Sequence, residues 1–259
     1  MAGWSSIEWT EATWNPITGC SKIGAGCEHC YAERMAWRLK AMGNPRYAQG
    51  FQLTLHSDLV DLPLTWRQPR VIFVNSMSDL FHEKVPLSFL RTVFATMQAA
   101  HWHVFQVLTK RAKRLAELAP ELPWPRNLWM GVTVEQQDYA WRLECLRQVP
   151  AAVRFLSCEP LLGPLSIDLA GVDWLIVGGE SGPSARPMDT RWARCLRDQC
   201  RRARVPFFLK QLGGTTDKRG KERALLDGRL WRELPRAHAS LKVADQRGSL
   251  GSPCDRRRA

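Results

Sequence analysis

Apolar residues along this chain fall into short unbroken runs, separated by stretches in which they recur at helical spacing. The runs 70–76 (RVIFVNS), 103–109 (HVFQVLT), 128–134 (LWMGVTV), 153–160 (VRFLSCEP), 173–180 (DWLIVGGE) and 205–211 (VPFFLKQ) are short, continuous and rich in β-branched and aromatic residues. That pattern predicts strands buried on both faces. An earlier strand is expected within 11–20 (EATWNPITGC). Helical periodicity predicts helices over 27–42, 86–100, 110–122, 136–149 and 189–203, the last opening with Asp189 and Thr190 as cap candidates. Seven strands alternating with helices imply an α/β fold with a parallel sheet, either open or a partial or complete (β/α) barrel.

The pattern weakens after residue 211. Residues 212–235 read as a polar loop with a short closing hairpin or helix, which sets the barrel domain at 1–235. From 236 to 259 Gly, Ser, Arg and Asp dominate and no periodic apolar face remains, so this stretch is expected to be a flexible basic tail. No run of about 18 apolar residues exists, so no membrane span is expected. The start, MAGWSSIEWTEATW, lacks the basic-then-apolar pattern of a secretory signal, and a cytoplasmic location is expected.

Composition adds a partner class. The chain has 259 residues, with 37 Lys and Arg against 25 Asp and Glu, a formal net charge of +12. Such a surface attracts polyanions, nucleic acid first among them. Some of the twelve Trp are available for base stacking, but several lie in predicted strands and read as core.

Barrel-type folds place chemistry at the C-terminal ends of strands. Cys20, Asp79, Lys110, Glu135, Glu159, Glu180 and Lys210 all fall there. Three of the eight cysteines crowd into eleven positions, Cys20, Cys27 and Cys30, spaced C-x6-C-x2-C. In a reducing compartment such a cluster favours a metal over disulfides. The last two lie at a predicted helix start, where backbone N–H groups favour thiolate. A structural zinc needs a fourth ligand, for which His29 is available; an iron–sulfur cluster with one open corner needs no more than three thiols. Both assignments, and the absence of any metal, stay open on spacing alone. Cys145, Cys158, Cys195, Cys200 and Cys254 are scattered and form no second C-x2-C pair.

The cysteine loop after the first strand, with Tyr31 behind the last thiol, resembles the cluster loop of radical S-adenosylmethionine (AdoMet) enzymes, whose usual spacing is C-x3-C-x2-C. The segments TEATWNPITGCSKIGAGCEHCYAERMA, FVNSMSDLFHEKVP, GVTVE, FLSCEPLLGPL, DWLIVGGESGPSARPM, VPFFLKQLGG and LDGRLWRELP together resemble a phage-associated radical-SAM-like family, known by the phage gene-product labels thirty-seven and sixty-eight. NSMSDLFHE is also similar to the second-strand motif of the spore photoproduct lyase branch. The resemblance implies a [4Fe–4S] cluster on Cys20, Cys27 and Cys30, AdoMet on the fourth iron, and a reducing electron donor. It implies formation of a 5′-deoxyadenosyl radical that acts on a substrate in the barrel mouth. A nucleic-acid substrate, through DNA lesion repair or base modification, is the matching expectation; a protein partner is compatible with it. The alternative is a non-catalytic nucleic-acid-binding protein with a structural zinc or iron–sulfur site.

Under this resemblance Ser76, Ser78 and Asp79 would accept from the cofactor's ammonium group, or else make loop and cap bonds. Glu135 and Glu159 would hold ribose hydroxyls or a cation, or else pair within the protein. Gly178, Gly179, Glu180 and Ser181 in GGESGPSAR would allow close approach of the cofactor. Lys110, Arg186 and Lys210 are candidate substrate contacts; Lys110 reads equally as the start of a solvated basic helix face, and Lys210 as a lysine with a buried stem. Cys158 is a candidate hydrogen-atom donor to a substrate radical, against the ordinary reading of a buried cysteine as a small apolar residue.

Overall fold

A computed structural model describes residues 3–4, 7–214 and 224–235. The expected tail at 236–259 lies outside the described residues. Seven parallel strands run in chain order: β1 (Ala12–Trp14), β2 (Val71–Val74), β3 (Val104–Thr109), β4 (Leu128–Thr133), β5 (Val153–Cys158), β6 (Trp174–Gly178) and β7 (Phe207–Gln211). Each pairs with the next, and residues Gly3–Trp4 add a short antiparallel edge outside β1. The sheet curls into a half-barrel whose β1 and β7 ends do not pair.

The described residues form five α-helices: α1 (Tyr31–Ala41), α2 (Leu87–Ala99), α3 (Ala112–Leu118), α4 (Arg142–Arg147) and α5 (Thr190–Ala203); α2 to α5 cover the outer face, and α1 packs on Tyr47, Phe51 and Met77. The strands are apolar on both sides because both sides are covered. Ile72, Val74, Phe105, Val107, Met130, Val132, Leu156 and Leu175 face outward and pack with Leu90, Phe94, Leu115, Leu146 and Leu196 of the helices. The alternate residues Phe73, Val104, Trp129, Phe155, Trp174, Ile176 and Phe208 point inward. They close the lower half of the concave side, with Trp9 seated on Phe73 edge to face at 4.8 Å between ring centroids. Gly131 leaves room there for Phe155, whose ring a Cβ would overlap. The inner face is thus solid below and open only at the C-terminal strand ends.

All five expected helices form, three of them shorter than their periodicity suggests. The 27–42 pattern begins its α-helix only at Tyr31; Ala25–Cys27 is a 3-10 turn and Cys30 is the N-cap of α1. α3 stops at Leu118 and gives way to a 3-10 turn at Ala119–Glu121, because Pro120 lacks the N–H that a continued α-helix needs. α4 is confined to Arg142–Arg147 because Gln137–Tyr139 folds as a 3-10 turn, from which Tyr139 reaches the cysteine loop. Asp189 caps α5 as expected, accepting from Arg191 N at 2.8 Å. The closing element is a hairpin, Leu225–Leu226 against Arg229–Leu230, turned by Asp227 and Gly228, both with positive φ. No helix among the described residues is long and apolar enough to cross a membrane.

Candidate functional site

The open end of the half-barrel holds a cavity of about 370 Å³. Every parallel strand or the loop that follows it contributes to its wall. Cys20, Cys27 and Cys30 come from the β1 loop, Ser76, Ser78 and Asp79 from β2, and Lys110 and Arg111 from β3. Thr133 follows from β4, Ser157 and Glu159 from β5, Gly179, Glu180 and Ser181 from β6, and Lys210 and Gln211 from β7. Another depression of similar volume, about 390 Å³, lies between Pro45 and His56. Its two charged or titratable groups are already engaged, Arg46 with Asp58 and His56 with Thr18, and it gathers no chemistry.

The cysteine loop spans the mouth because other strand ends hold it there. Arg111, its side chain only 3% exposed, donates to both Glu83 oxygens at 2.9–3.0 Å, to Asp79 Oδ2 at 3.1 Å, and to Ser21 O and Oγ at 3.1 and 2.9 Å. Its Nη1 also reaches Cys20 Sγ at 3.5 Å. On the far side, Ala25 N donates to the Tyr139 hydroxyl at 3.2 Å. Gly26 packs so tightly on Glu135 that a Cβ would overlap its Oε1. Arg186 donates to Ala25 O at 2.9 Å and to Glu28 at 2.9 Å while forking onto Glu180 at 2.6–2.9 Å. The six residues between Cys20 and Cys27 therefore reach from β3 to β6 and are anchored along their length.

The expected polar residues divide by what they already touch. Asp79 is saturated: it accepts from Phe81 N, Thr109 Oγ1, Lys110 N and Arg111, at 2.7–3.1 Å. Ser76 Oγ donates to Asn15 Oδ1 at 3.2 Å, and Ser78 Oγ to Ile17 O at 2.9 Å. Lys210 Nζ bonds both oxygens of Glu159 at 2.7 and 2.9 Å, and Gln211 joins them at 3.2 Å. Lys110 Nζ lies 3.4 Å from Thr133 Oγ1 and 3.7 Å from Glu135. Burial raises the Glu180 carboxyl, but its hydrogen bonds from Arg186 outweigh that and hold it below the usual range.

Four expected site residues do not line the cavity. Cys158 is fully buried on the outward side of β5, in the sheet–helix core that also contains Cys200. Strand alternation decides this: Ser157 faces the cavity, so Cys158 faces away. Burial pushes its thiol well above the ordinary cysteine range, and a hydrogen-donor role is corrected to core packing. Glu135 is fully buried and bound to Arg142 at 2.7 Å, so it braces the cysteine loop instead of holding ribose. Gly178 leaves room for Glu159, which a Cβ would press at 3.0 Å. Arg186 is a strap between two loops, committed on all its nitrogens, and not a free substrate contact.

Arg111, Ser157, Asn75 and Trp9 line the cavity without having been singled out from the sequence. Alternation along β5 could have found Ser157. Arg111 was hidden in a basic run that reads equally well as an exposed helix face.

The donor set of the loop fits a three-thiolate group. Three free, partly exposed thiols open into one cavity, and none is disulfide-bonded. As folded, no three Cys, His, Asp or Glu side chains among the described residues converge closely enough to hold a metal ion. Burial, with the Asp79 charge, raises the Cys20 thiol to about 11, against the lowering effect of Arg111.

The chain is similar at low identity to solved spore photoproduct lyase structures. One, a double mutant with bound AdoMet and dinucleoside spore photoproduct, aligns at 10% identity and a TM-score of 0.46, over 96% of this chain and 75% of that one. Another, complexed with dinucleoside spore photoproduct, aligns at 11% identity and a TM-score of 0.42 over the same shares. No curated protein matches the chain. Residues 4–235 match the family described as "Protein of unknown function (DUF5131)", a span that takes in the half-barrel, the cysteine loop and the closing hairpin. The chain belongs to the DUF5131 family.

Proposed function

We propose that this protein is a radical AdoMet enzyme whose substrate is nucleic acid. The observation that carries the reading is the placement of Cys20, Cys27 and Cys30. All three lie on the loop after the first strand of a parallel half-barrel and open into the cavity at its C-terminal mouth. When bound and reduced, a [4Fe–4S] cluster on these thiolates supplies the electron for reductive cleavage of AdoMet.

The residues of the chain divide the remaining tasks. Arg111, anchored by Asp79 and Glu83, holds the Cys20–Ser21 segment against the strand ends. Glu180 and Arg186 hold the far side of the loop. Gly179 lets the loop after β6 pack directly on the backbone after β7: a side chain there would overlap Leu212 O. The Glu159–Lys210 pair presents a hydrogen-bonded carboxylate and an ammonium to the bound cofactor. The aromatic floor formed by Trp9 and Phe73 excludes water from below. The net charge of +12 favours a polyanionic substrate.

Anaerobic reconstitution with iron and sulfide tests the reading. The expected result is a brown protein holding about four irons per chain, as one [4Fe–4S] cluster requires, that releases deoxyadenosine from AdoMet on reduction. Stoichiometric zinc with no iron uptake rejects it in favour of a structural zinc site. Iron uptake and AdoMet binding without deoxyadenosine release reject the enzymatic part.

A further inference from the structure

Asn75 is 3% exposed and lines the cavity, yet neither its Oδ1 nor its Nδ2 has a hydrogen-bond partner among the described residues. Leaving a buried amide unpaired costs about 1–3 kcal/mol. Its backbone is also in the left-handed region, with φ of 59°, fixed by a hydrogen bond from Asn75 N to Trp14 O at 2.8 Å. Asparagine tolerates that conformation better than most side chains do. A second orphan lines the same cavity: Trp9, 7% exposed, whose Nε1 has no partner among the described residues. Phe73 stands two residues before Asn75 on the inner face of β2, and Trp9 packs on it at 4.8 Å.

These groups differ from their polar neighbours. Ser76, Ser78, Asp79, Glu159 and Lys210 have their hydrogen bonds made within the protein. The floor instead holds, buried at its wall, an unpaired acceptor and donor on one amide and an unpaired donor on Trp9, beside aromatic surface. An Asn amide pairs with a donor beside an acceptor, the arrangement on the edge of a nucleobase. An aromatic floor accepts the face or rim of a planar heterocycle.

We propose that Asn75 and Trp9 form the subsite that receives a nucleobase of the substrate, with Asn75 pairing to its polar edge and Trp9 and Phe73 supplying apolar contact. The proposal rests on the nucleic-acid reading above. The adenine of AdoMet carries the same edge chemistry, so the test separates the two sources.

The test compares wild type with Asn75→Gly, which suits the positive φ and removes the amide together with its Cβ. Asn75→Asp, which removes the donor and adds charge, and Trp9→Phe, which removes the N–H and keeps an aromatic ring, complete the set. Each full-length protein is titrated with three probes: a short single-stranded thymidine oligonucleotide, an abasic oligonucleotide of the same length, and AdoMet. Wild type is expected to bind the thymidine strand more tightly than the abasic one. Asn75→Gly should lose about tenfold on the thymidine strand, the equivalent of ~1.4 kcal/mol, with little change on the abasic strand or AdoMet and a cooperative unfolding transition retained. Trp9→Phe should show the same preference loss in smaller measure. Unchanged base preference in Asn75→Gly, or a loss confined to AdoMet, overturns the subsite while leaving the nucleic-acid reading standing. A wild type that binds neither strand overturns both.

Discussion

The guanidinium of Arg111 donates to the sulfur of Cys20 at 3.5 Å, across 91 residues of sequence. The same side chain is bonded to Asp79, Glu83 and Ser21, so the first cysteine is tied to the ends of β2 and β3 as well as to its own strand. The loop that presents the thiols is built by the barrel mouth and not by its local sequence alone.

Arg111→Ala should be among the most damaging single changes. Arg111 and Asp79 are 3% and 9% exposed at their side chains, and truncating one leaves the other charge buried and unpaired. The expected loss is about 3–5 kcal/mol in urea unfolding. Asp79→Asn in the Arg111→Ala background should recover part of it, because the stranded carboxylate is then removed; additive losses would show that the pair acts independently.

Gly26→Ala tests the packing between the cysteine loop and β4. The added methyl meets a fully buried Glu135 that cannot retreat without releasing Arg142. A destabilisation of about 1–3 kcal/mol is expected, with reduced iron retention after reconstitution. Gly163→Ala, where nothing lies within reach of the new atom, should leave both properties near wild type.

The cysteines should separate into two groups. Serine at Cys20, Cys27 or Cys30 is expected to abolish stable iron and sulfide binding, measured as metal content per chain. Serine at Cys145 or Cys195, neither of which lines the cavity, should leave it intact. Cys158→Ala should lower stability through lost packing while deoxyadenosine formation persists, since Cys158 faces the helices.

Acid sensitivity should arise partly from His103, far from the cavity. Its Nδ1 accepts from Arg70 N at 3.1 Å and its Nε2 donates to Pro63 O at 3.0 Å, which fixes a neutral ring. Burial, with the Arg70 charge, holds its pKa below the ordinary 6.5. The unfolded chain therefore takes up this proton first as pH falls. The stabilisation is fully present above about 6.5 and is lost as pH falls from there towards the depressed folded value. Urea midpoints measured on either side of that range should fall on the acid side, and His103→Gln should flatten the slope.

The alternation of strands and helices and the Asp189 cap were legible because each rests on local periodicity or on a single residue's backbone preference. The candidate site was only half legible. Strand-end positions placed Cys20, Asp79, Glu159, Glu180 and Lys210 at one mouth, since a parallel sheet puts all its C-terminal ends together. The one-residue difference between Ser157 and Cys158 was not resolved from the sequence, although the pleat sends them to opposite faces.

The parallel α/β architecture was already in the chain, because buried strands and amphipathic helices declare themselves in runs of neighbouring residues, while the choice of a half-barrel over an open sheet or a closed barrel came from the strand pairing. The sequence also determined that three thiols share one loop. Only the tertiary structure decided which polar groups are spent and which are free. Asp79 and Arg186 meet partners distant in the chain, while the side-chain polar atoms of Asn75 and the Trp9 indole N–H meet none among the described residues, and such pairings depend on where the folded backbone brings two side chains.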